Sequence, residues 1–400
     1  MVKDLVLVGG GHSHVTVLKR FGMQPLPGVR LTLICRDVHT PYSGMLPGFI
    51  AGHYDYDEIH IDLRPLARFA GARLYHDEVI GLDLKNRTLR CRHHPDIAYD
   101  VVSLNTGATP AFSQVPGADQ VVVPVKPISN FVQRWQQLVT RVCATPDVVR
   151  LGVVGAGAGG VEMLLAIQFR LQQLLQETGK TDLVEYHLFS GSATILPTHN
   201  RRVQATFHRV LAERGVHVHE GCRVTAIDRQ GLRCADGSAY RLEEILWATD
   251  ASAPVWLAAA GLAVDEHGFV LVNAALQSVS HPDVFAAGDV ATVVPYPRAK
   301  AGVFAVRQGK PLARNLRRVL HGQAPKPFVP QHKWLALIST GDKYAIASRG
   351  GWSVAGRWVW YWKNWLDRRF MRKYTVLPAL PSDPAEACAR NQKQYPGAQV

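Results

Sequence analysis

Two glycine-rich turns, far apart in the chain, constrain its fold more than any other feature. They lie in VLVGGGHSH at residues 6–14 and in LGVVGAGAGGVE at residues 151–162. The glycines of the two turns are Gly9, Gly10, Gly11, Gly155, Gly157 and Gly160. Each turn follows an apolar β-type run and leads into a stretch that favours helix. Glycine lets the backbone approach a pyrophosphate at a helix N-terminus. Two such turns therefore predict two dinucleotides, a flavin and a nicotinamide that donates hydride to it.

The bulk composition indicates a folded globular protein that seeks an anionic partner. A length of 400 residues predicts two or three domains. The hydrophobic content of 47% excludes a disordered chain. The formal net charge of +13 leaves three classes of partner open, namely nucleic acid, an anionic membrane surface and anionic cofactors.

Cysteine and histidine spacing predicts neither a metal site nor a disulfide framework. The six cysteines, Cys35, Cys91, Cys143, Cys222, Cys234 and Cys388, form no short pairing. Their spread suits a reducing compartment. The seventeen histidines show no second cluster with ligand spacing and carboxylates, so no metal is expected.

The hydrophobic pattern predicts two strand–turn–helix units, each followed by a β-meander. The second unit is inserted in the first, because HPDVFAAGDVATV at 281–293 supplies the strand that the first unit lacks. The predicted fold class is α/β, with two Rossmann-like dinucleotide-binding domains and a C-terminal α+β appendage. The predicted boundaries are 1–120 with 266–325, 121–265, and 326–400.

These motifs together resemble the two-dinucleotide flavoproteins of the pyridine nucleotide-disulfide oxidoreductase type. The resemblance is carried by both glycine turns, the closing strands SLNTGATP and LWATDASAP, and AAGD. The segments GGGHSHV, TPYSGMLPG, HIDL, VKPI and KAGVFAVRQG are similar to the type II NADH dehydrogenase-like domain found fused to selenide, water dikinase. No kinase portion follows, which indicates a stand-alone relative or an excised domain. The resemblance implies FAD in the 1–120 and 266–325 domain, and NADH or NADPH in the 121–265 domain.

The resemblance also implies a set of FAD-binding residues. They are Gly9, Gly10, Gly11, His14, Arg36, Ser43, Gly44, Met45, Val79, Thr106, Gly107, Gly288, Asp289, Ala301, Gly302 and Val303. His14 replaces the third glycine of the turn and is interpreted as structural or phosphate-facing. Cys35 stands where an acid usually binds the ribose, so Arg36 either meets adenine or phosphate or is a surface arginine. Asp289 either accepts hydrogen bonds from the ribityl chain or caps a helix.

For the nicotinamide, the resemblance places Gly155, Gly157 and Gly160 at the pyrophosphate and Glu162 near the reactive ring. Alternatively, the helix dipole alone favours a glutamate there. Ser190 stands where an acid would select NADH, so NADPH or dual use is expected. Lys126, in VKPI, either stabilises the reduced flavin or is an ordinary exposed lysine. Glu162 and Lys126 are the two catalytic candidates.

The electron acceptor is less constrained by the sequence. Residues 40–45 hold no CxxxxC pair, which excludes a dithiol relay there. Ser339 and Thr340 stand where sulfide:quinone reductases carry cysteine. Val303 and Arg307 stand where type II NADH dehydrogenases carry glutamines, and only Gln308 and Gly309 keep that pattern. A quinone is expected from the resemblance.

The C-terminal region combines aromatic and basic residues on one predicted helix. The aromatic and apolar positions at helical spacing are Trp358, Tyr361, Trp362, Trp365, Leu366 and Phe370. Residues 352–374 are predicted to dock on an anionic membrane surface, or else to bury themselves in a dimer or domain core. No nucleic acid is expected, and a homodimer is possible.

The predicted function is an FAD-dependent NAD(P)H dehydrogenase that passes electrons to a quinone or similar acceptor at the membrane surface. The chain starts directly on an apolar strand and has no run of about eighteen apolar residues. The expected location is therefore the cytoplasm, peripheral on the inner face of the cell membrane. Two alternatives stay open. One is a sulfide- or selenide-oxidising quinone reductase, and the other is a non-catalytic, membrane-docked redox flavoprotein.

Overall fold

The first unit is built on a parallel sheet. The computed structural model describes residues 2–110, 115–125, 128–176, 181–249 and 251–378. The elements of the first segment are β1 (Lys3–Val8), α1 (His12–Met23), β2 (Val29–Cys35), β3 (His39–Pro41), α2 (Leu46–Ile50), α3 (Tyr56–Ile59), β4 (His60–Asp62), α4 (Leu63–Phe69), β5 (Arg73–His76), β6 (Val79–Asp83), β7 (Thr88–Cys91), β8 (Ile97–Ala98), β9 (Val101–Leu104) and β10 (Thr109–Pro110). Strand β9 is buried at all four of its residues, as expected for a parallel strand covered on both faces.

A second parallel sheet follows. Its segment contains α5 (Ala118–Val121), β11 (Val123–Pro124), α6 (Ile128–Ala144), β12 (Val149–Val154), α7 (Ala158–Gln176), a 3-10 turn (Thr181–Leu183), β13 (Val184–Phe189), α8 (Arg201–Glu213), β14 (Val216–His219), β15 (Val224–Asp228), β16 (Gly231–Cys234), β17 (Ala239–Arg241), β18 (Glu244–Trp247) and β19 (Ala251–Ser252). The strand order is β11-β18-β12-β13-β14, and every pairing is parallel. The antiparallel sheets β6-β7-β8 and β15-β16-β17 are the two predicted meanders.

The chain then returns to the first sheet. This segment contains α9 (Trp256–Ala259), β20 (Val270–Val272), β21 (Val284–Ala286), a 3-10 turn (Gly288–Val290), β22 (Ala291–Val293) and α10 (Gly302–Leu320). Strand β21 pairs with β9 and completes the order β21-β9-β1-β2-β5, which is parallel throughout. The second unit is therefore inserted in the first, and the predicted fold class is confirmed.

The C-terminal appendage is an antiparallel sheet with one long helix. Its elements are β23 (Ala336–Ser339), β24 (Ala345–Arg349), β25 (Trp352–Gly356) and α11 (Arg357–Thr375). Val359 and Trp360 of α11 pack on Ala345 and Ala347 of β24. The far end of α11 reaches the first unit, where the Tyr374 hydroxyl lies 2.8 Å from the Thr16 hydroxyl of α1. Within the described residues, no helix is both long and apolar enough to cross a bilayer.

One cysteine pair corrects the sequence analysis. Cys222 and Cys234 form a disulfide with a Cα–Cα distance of 5.4 Å, so the prediction of no pairing is wrong here. The two residues are twelve apart in sequence. Pairing of β15 with β16 brings them together, as Val224 lies opposite Cys234. This long-range register was not visible in cysteine spacing. Cys35, Cys91 and Cys143 are free, and Cys388 lies outside the described residues.

The disulfide is expected to stabilise the second unit. Replacing Cys222 and Cys234 together by serine should lower the free energy of unfolding by about 2–3 kcal/mol, because the closed loop no longer restricts the unfolded chain. Urea unfolding with and without a thiol reductant measures the effect. A Cys143→Ser variant is the control and should respond to the reductant as the unmodified protein does. If the reductant lowered the free energy of unfolding of the double variant as much as that of the unmodified protein, the expectation would be contradicted.

Candidate active site

Asn105 joins the first glycine turn to the AAGD segment. This residue follows β9 and is buried. Its side-chain oxygen accepts hydrogen bonds from the N–H groups of Ser13 and His14 at 3.1 and 3.2 Å, and its amide donates to the Ala287 carbonyl at 2.5 Å. Gly288 continues the same contact, since an added Cβ there would lie 2.5 Å from the Asn105 amide nitrogen. The two segments predicted to hold FAD therefore meet at one side chain.

The first glycine turn has the geometry that a pyrophosphate requires. Gly9 adopts a φ of +91°, and an added Cβ would lie 2.5 Å from the Asn105 carbonyl oxygen. Gly11 caps α1 without any side-chain bond, and the first turn of α1 carries no acidic residue. The positive end of the helix dipole thus faces the turn. At Gly107, an added Cβ would meet nothing within 4 Å, so the loop after Asn105 borders open space. These features fit FAD.

Asp289 lies at the start of the other half of this site. Asp289 is half-buried and belongs to the 3-10 turn Gly288–Val290. Burial lowers the pKa of the neighbouring Lys300 to about 8, and the carboxylates of Asp265 and Asp289 only partly offset it. Ala301 caps α10, and an added Cβ at Gly302 would lie 3.1 Å from the Ser43 hydroxyl. The predicted residues Ser43 and Ala301–Val303 are therefore neighbours.

His14 is a structural residue. Its ring is fully buried, with Nδ1 donating to the Gly9 carbonyl at 2.7 Å and Nε2 accepting from the Ser103 hydroxyl at 2.8 Å. Both ring nitrogens are thus used inside the protein. Of the two interpretations of His14, the structure supports the structural one, and the phosphate-facing one is wrong. Burial lowers the pKa of His14 to about 4, with the Gly9 bond as a smaller opposing effect.

The buried His14 ring predicts a loss of stability in acid. The unfolded chain takes up a proton near pH 6.5, whereas folded His14 stays neutral down to about pH 4. The free energy of unfolding should therefore fall as the pH drops, by about 2 kcal/mol at pH 5 relative to pH 7. Denaturant unfolding at the two pH values measures this loss. A His14→Gln variant should lose about 2 kcal/mol less between them, and an equal loss would contradict the assignment.

The structure gives less direct support for the residues predicted to bind the adenosine end of FAD. Arg36 is exposed and its guanidinium pairs with Asp37 at 3.2 Å, which fits the surface-arginine interpretation. Burial raises the pKa of the Cys35 thiol to about 12. Val79 is buried at the start of β6, and Thr106 is exposed beside the first turn.

The adjacent residues Gly44 and Met45 have different surroundings in the structure. The Met45 side chain is fully buried in the core, so a contact of this residue with the flavin would have to come from its backbone. A run of apolar residues around position 46 draws it inward. The Gly44 carbonyl, in contrast, accepts a hydrogen bond from Lys363 of α11.

The second glycine turn leaves Gly157 exposed. Gly155 has a φ of +115°, and an added Cβ at Gly160 would lie 1.8 Å from the Gly155 carbonyl oxygen. These two glycines pack the turn against α7. An added Cβ at Gly157 would meet nothing within 4 Å, so the position predicted to face a pyrophosphate is open. Ser190 is buried, and its hydroxyl donates to the carbonyls of Ser192 and Thr194 at 3.1 and 3.2 Å. Lys126 lies outside the described residues.

A charged cluster joins the two units to the appendage. Glu162 is the fifth residue of α7, so it lies beyond the first turn of the helix, and its carboxylate accepts a hydrogen bond from the Ser339 N–H at 2.7 Å. Lys363 and Asp367 are both buried on α11, and their charged atoms lie 2.7 Å apart. Tyr42 hydrogen-bonds Asp367, and Lys363 interacts electrostatically with Glu162. We call Tyr42, Glu162, Lys363 and Asp367 the buried charge cluster.

Burial shifts the pKa values of the ionisable groups in the buried charge cluster. Burial raises the pKa of Glu162, and Lys363 and the Ser339 N–H only partly offset it. Burial likewise raises the pKa of Asp367 despite its bond to Lys363. Burial lowers the pKa of Lys363, but Asp367 and Glu162 outweigh it, so the lysine stays charged. Two carboxyl groups that favour protonation therefore share one ammonium group beside Gly44.

The family follows from this arrangement and from comparison with known proteins. The family model described as pyridine nucleotide-disulphide oxidoreductase matches residues 3–309. The chain belongs to this family. Proteins of the family bind FAD and NAD(P)H, so the predicted cofactors are confirmed at that level. This family consists of NAD(P)H-dependent flavoprotein oxidoreductases.

Individual relatives are distant. The chain is 25% identical over 304 residues to an NADH oxidase of Lactococcus lactis subsp. cremoris, covering 72% of the chain and 64% of that enzyme. The sulfide:quinone oxidoreductase of Aquifex aeolicus has a TM-score of 0.79 at 17% identity, covering 100% of this chain and 96% of that one. NDH2 from Plasmodium falciparum has a TM-score of 0.79 at 13% identity, covering 94% and 98%. These structural likenesses show the fold.

Within this family fold, the predicted acceptor segment is partly structural. Gln308 accepts a hydrogen bond from the Gly288 N–H at 2.6 Å and is buried, so the glutamine retained from the quinone pattern holds the AAGD turn. Gly309 lets α1 and α10 pack closely, since an added Cβ would lie 2.5 Å from the Thr16 Cβ. Val303 is half-buried, and Arg307 is exposed.

The aromatic stripe of α11 has two faces. Trp358, Tyr361 and Trp365 are exposed at 54%, 58% and 54%. Phe370 turns inward and stacks on Tyr42 at a ring distance of 4.4 Å. Lys363, one of the basic residues of this helix, is buried and pairs with Asp367 at the i+4 position. The outward face therefore carries three large aromatic side chains.

Sequence reasoning missed several residues of the site. Asn105 was visible only as the residue after the strand in SLNTGATP, and nothing marked it as a bridge between distant segments. Tyr42, Lys363 and Asp367 lie outside the glycine motifs. The i, i+4 spacing of Lys363 and Asp367 was the one local signal, and such pairs are usually solvated.

Proposed function

We propose that this protein oxidises NAD(P)H through FAD and passes the electrons to a quinone at a membrane surface. The observation that carries the proposal is the buried charge cluster. Glu162 comes from the second unit, and Tyr42 comes from the first unit, which we call the FAD unit. Lys363 and Asp367 come from the appendage. Three parts of the fold thus converge on one proton-holding site.

The residues of the FAD unit hold and orient the cofactor. The first glycine turn would hold the pyrophosphate, Asp289 would meet the ribityl chain, and Ser43, Gly44 and Ala301–Val303 would border the ring. When bound, the flavin supplies two-electron transfer from the nicotinamide to the acceptor. The chain itself contributes position and electrostatics. Gly155, Gly157 and Gly160 seat the nicotinamide coenzyme, and Glu162 lies on the helix that follows.

The buried charge cluster supports a quinone as the acceptor. Reduction of a quinone to a quinol takes up two protons with the two electrons. Burial raises the pKa values of Glu162 and Asp367, so each would keep a proton to higher pH than an exposed carboxyl group does. Lys363 keeps them together and bonds the Gly44 carbonyl. Within the described residues, the cluster contains no cysteine, which speaks against sulfide as the donor.

The outward face of α11 supports docking on the inner face of the cell membrane. Indole and phenol rings favour the headgroup layer, where one edge is apolar and the other wet. Trp358, Tyr361 and Trp365 lie on one side of a helix whose other side packs on the protein. Docking there would bring the acceptor site to a lipid-soluble quinone.

The position of Ser190 predicts which coenzyme is accepted. Its inward hydroxyl leaves no negative charge at the predicted 2′-ribose position, so we expect NADPH to be used. An Asp at 190 cannot donate to the carbonyls of Ser192 and Thr194, so it should turn outward. Ser190→Asp should then raise the KM for NADPH at least about tenfold through like-charge repulsion. Ser190→Ala is the matched control, and steady-state kinetics with both coenzymes measure the change.

The proposed function is tested by the reoxidation of the reduced protein. The purified protein is reduced anaerobically with NADPH, NADH or sulfide and then mixed with a short-chain soluble quinone. We expect reduction by a nicotinamide and stoichiometric formation of quinol. Rapid reduction by sulfide but by neither nicotinamide would reject the proposed donor, and failure of the quinone to reoxidise the protein would reject the proposed acceptor.

A further inference from the structure

Helix α10 exposes only cations to solvent. Its exposed residues are Arg307, Lys310 and Arg314, and none of its nineteen residues is acidic. The spacing of three and four residues places these side chains on one stripe of the helix. None of the three forms an ion pair with a carboxylate in the part of the chain that the structure describes. The helix therefore carries an uncompensated positive row.

This row continues onto two other helices. Arg317 of α10 donates a hydrogen bond to the Arg20 carbonyl of α1 at 3.1 Å and lies over the Phe21 ring at 4.3 Å. Lys19 of α1 donates to the Lys373 carbonyl of α11. The basic face, as we define it, comprises Lys19, Arg20, Arg307, Lys310, Arg314, Arg317, Arg318, Arg369, Arg372 and Lys373.

Like charges are crowded on the basic face. Burial lowers the pKa of Lys19, and the nearby Lys373 lowers it further. Burial also lowers the pKa of Arg317, and Arg20 adds to the effect. Helices α1, α10 and α11 together contain one acidic residue, Asp367, and its side chain is buried against Lys363. Self-repulsion of this kind is relieved by a polyanionic partner.

We propose that the basic face binds the acidic headgroups of a phospholipid bilayer. This inference rests on the proposed membrane docking of α11 and extends it to α1 and α10. The contact between Lys19 and Lys373 makes the basic face continuous with the end of α11. A stable protein interface has an apolar or aromatic centre, whereas α10 exposes no such side chain. Anionic headgroups need only cations within the Debye length.

The inference has a consequence for how the protein is recruited. The aromatic residues of α11 insert into the headgroup layer, and the basic face selects membranes that contain acidic lipid. Recruitment then depends on lipid charge and on salt, and helices α1 and α10 both face the bilayer. Neither Lys310 nor Arg314 belongs to the dinucleotide sites or to the buried charge cluster.

Vesicle sedimentation tests this surface on the full chain. The probes are vesicles of phosphatidylcholine alone and vesicles that also contain phosphatidylglycerol. The unmodified protein should bind the second kind more strongly, and Lys310→Gln with Arg314→Gln should weaken that binding about 30-fold. The matched control, Arg229→Gln with Arg233→Gln, removes two exposed cations of the β15–β16 hairpin and should bind as the unmodified protein does.

The outcomes separate this surface from the proposed function. Equal binding of the Lys310/Arg314 variant and the control would overturn the basic face as a lipid site, as would equal binding to both kinds of vesicle. Oxidation of NAD(P)H with a soluble quinone is measured on the same samples and should be unchanged in every variant. If that oxidation is absent while binding still depends on Lys310 and Arg314, the proposed function fails and the lipid surface stands.

Discussion

Asn105→Leu is expected to destabilise the protein by several kcal/mol and to weaken its binding of FAD. The leucine keeps the volume of the side chain but cannot form hydrogen bonds. The N–H groups of Ser13 and His14 and the carbonyl of Ala287 then lose their buried partner. Each unsatisfied group costs about 1–3 kcal/mol. Because the same side chain holds the first glycine turn against the AAGD segment, FAD binding should weaken at least about tenfold.

The measurements are the FAD-to-protein ratio after purification and the free energy of unfolding in urea. Asn86→Leu provides a matched control, since Asn86 is also an asparagine, and its side-chain amide donates a hydrogen bond to Asp83 in an exposed turn. The control should keep its FAD and lose little stability. An Asn105→Leu protein that retains FAD like the control would show that the two segments are not held together by this residue.

Glu162→Gln is expected to slow turnover with a quinone about 100-fold or more. The glutamine keeps the size and the hydrogen bond from the Ser339 N–H but cannot hold an exchangeable carboxyl proton. Reduction of the flavin by NAD(P)H should change little, because that step needs no proton from Glu162. The loss should therefore appear in the reoxidation step.

The pH dependence gives the sign of this effect. Burial raises the pKa of Glu162, so its protonated form persists to higher pH than in water. In the unmodified protein, kcat with a quinone should fall as the pH rises through that pKa. In Glu162→Gln this decline should disappear and leave a low, flat profile. Glu213→Gln, on the exposed side of α8, is the control. A Glu162→Gln profile that still declines with the unmodified midpoint would assign the proton to another group.

The fold was predictable because its signals are local and repeated. In both units an apolar run (β1 or β12) is followed by a glycine turn (Gly9 or Gly155) and then by a helix. This order predicts a parallel sheet. The AAGD strand revealed the insertion, because the first unit had no other strand to complete its sheet. These patterns depend on neighbouring residues, which a sequence displays directly.

The site was only partly predictable because its contacts are long-range. Asn105 meets Ala287 across 182 positions of the chain. Lys363 is a cation in a basic segment, and only its contacts with the Gly44 carbonyl and with Asp367 of the same helix show that it is buried. Cys222 and Cys234 pair because two strands of a meander align. His14 was correctly placed in the turn, but its ring is fixed by Ser103, a residue that no motif marks.

The most direct test of the central claim is anaerobic titration of the purified protein with NADPH and NADH, followed by flavin absorbance. The claim is that one chain grips two dinucleotides so that electrons pass between them. The account predicts about one FAD per chain and full bleaching of its absorbance by one equivalent of nicotinamide. A protein that purifies without flavin, or whose flavin neither coenzyme bleaches, would contradict it.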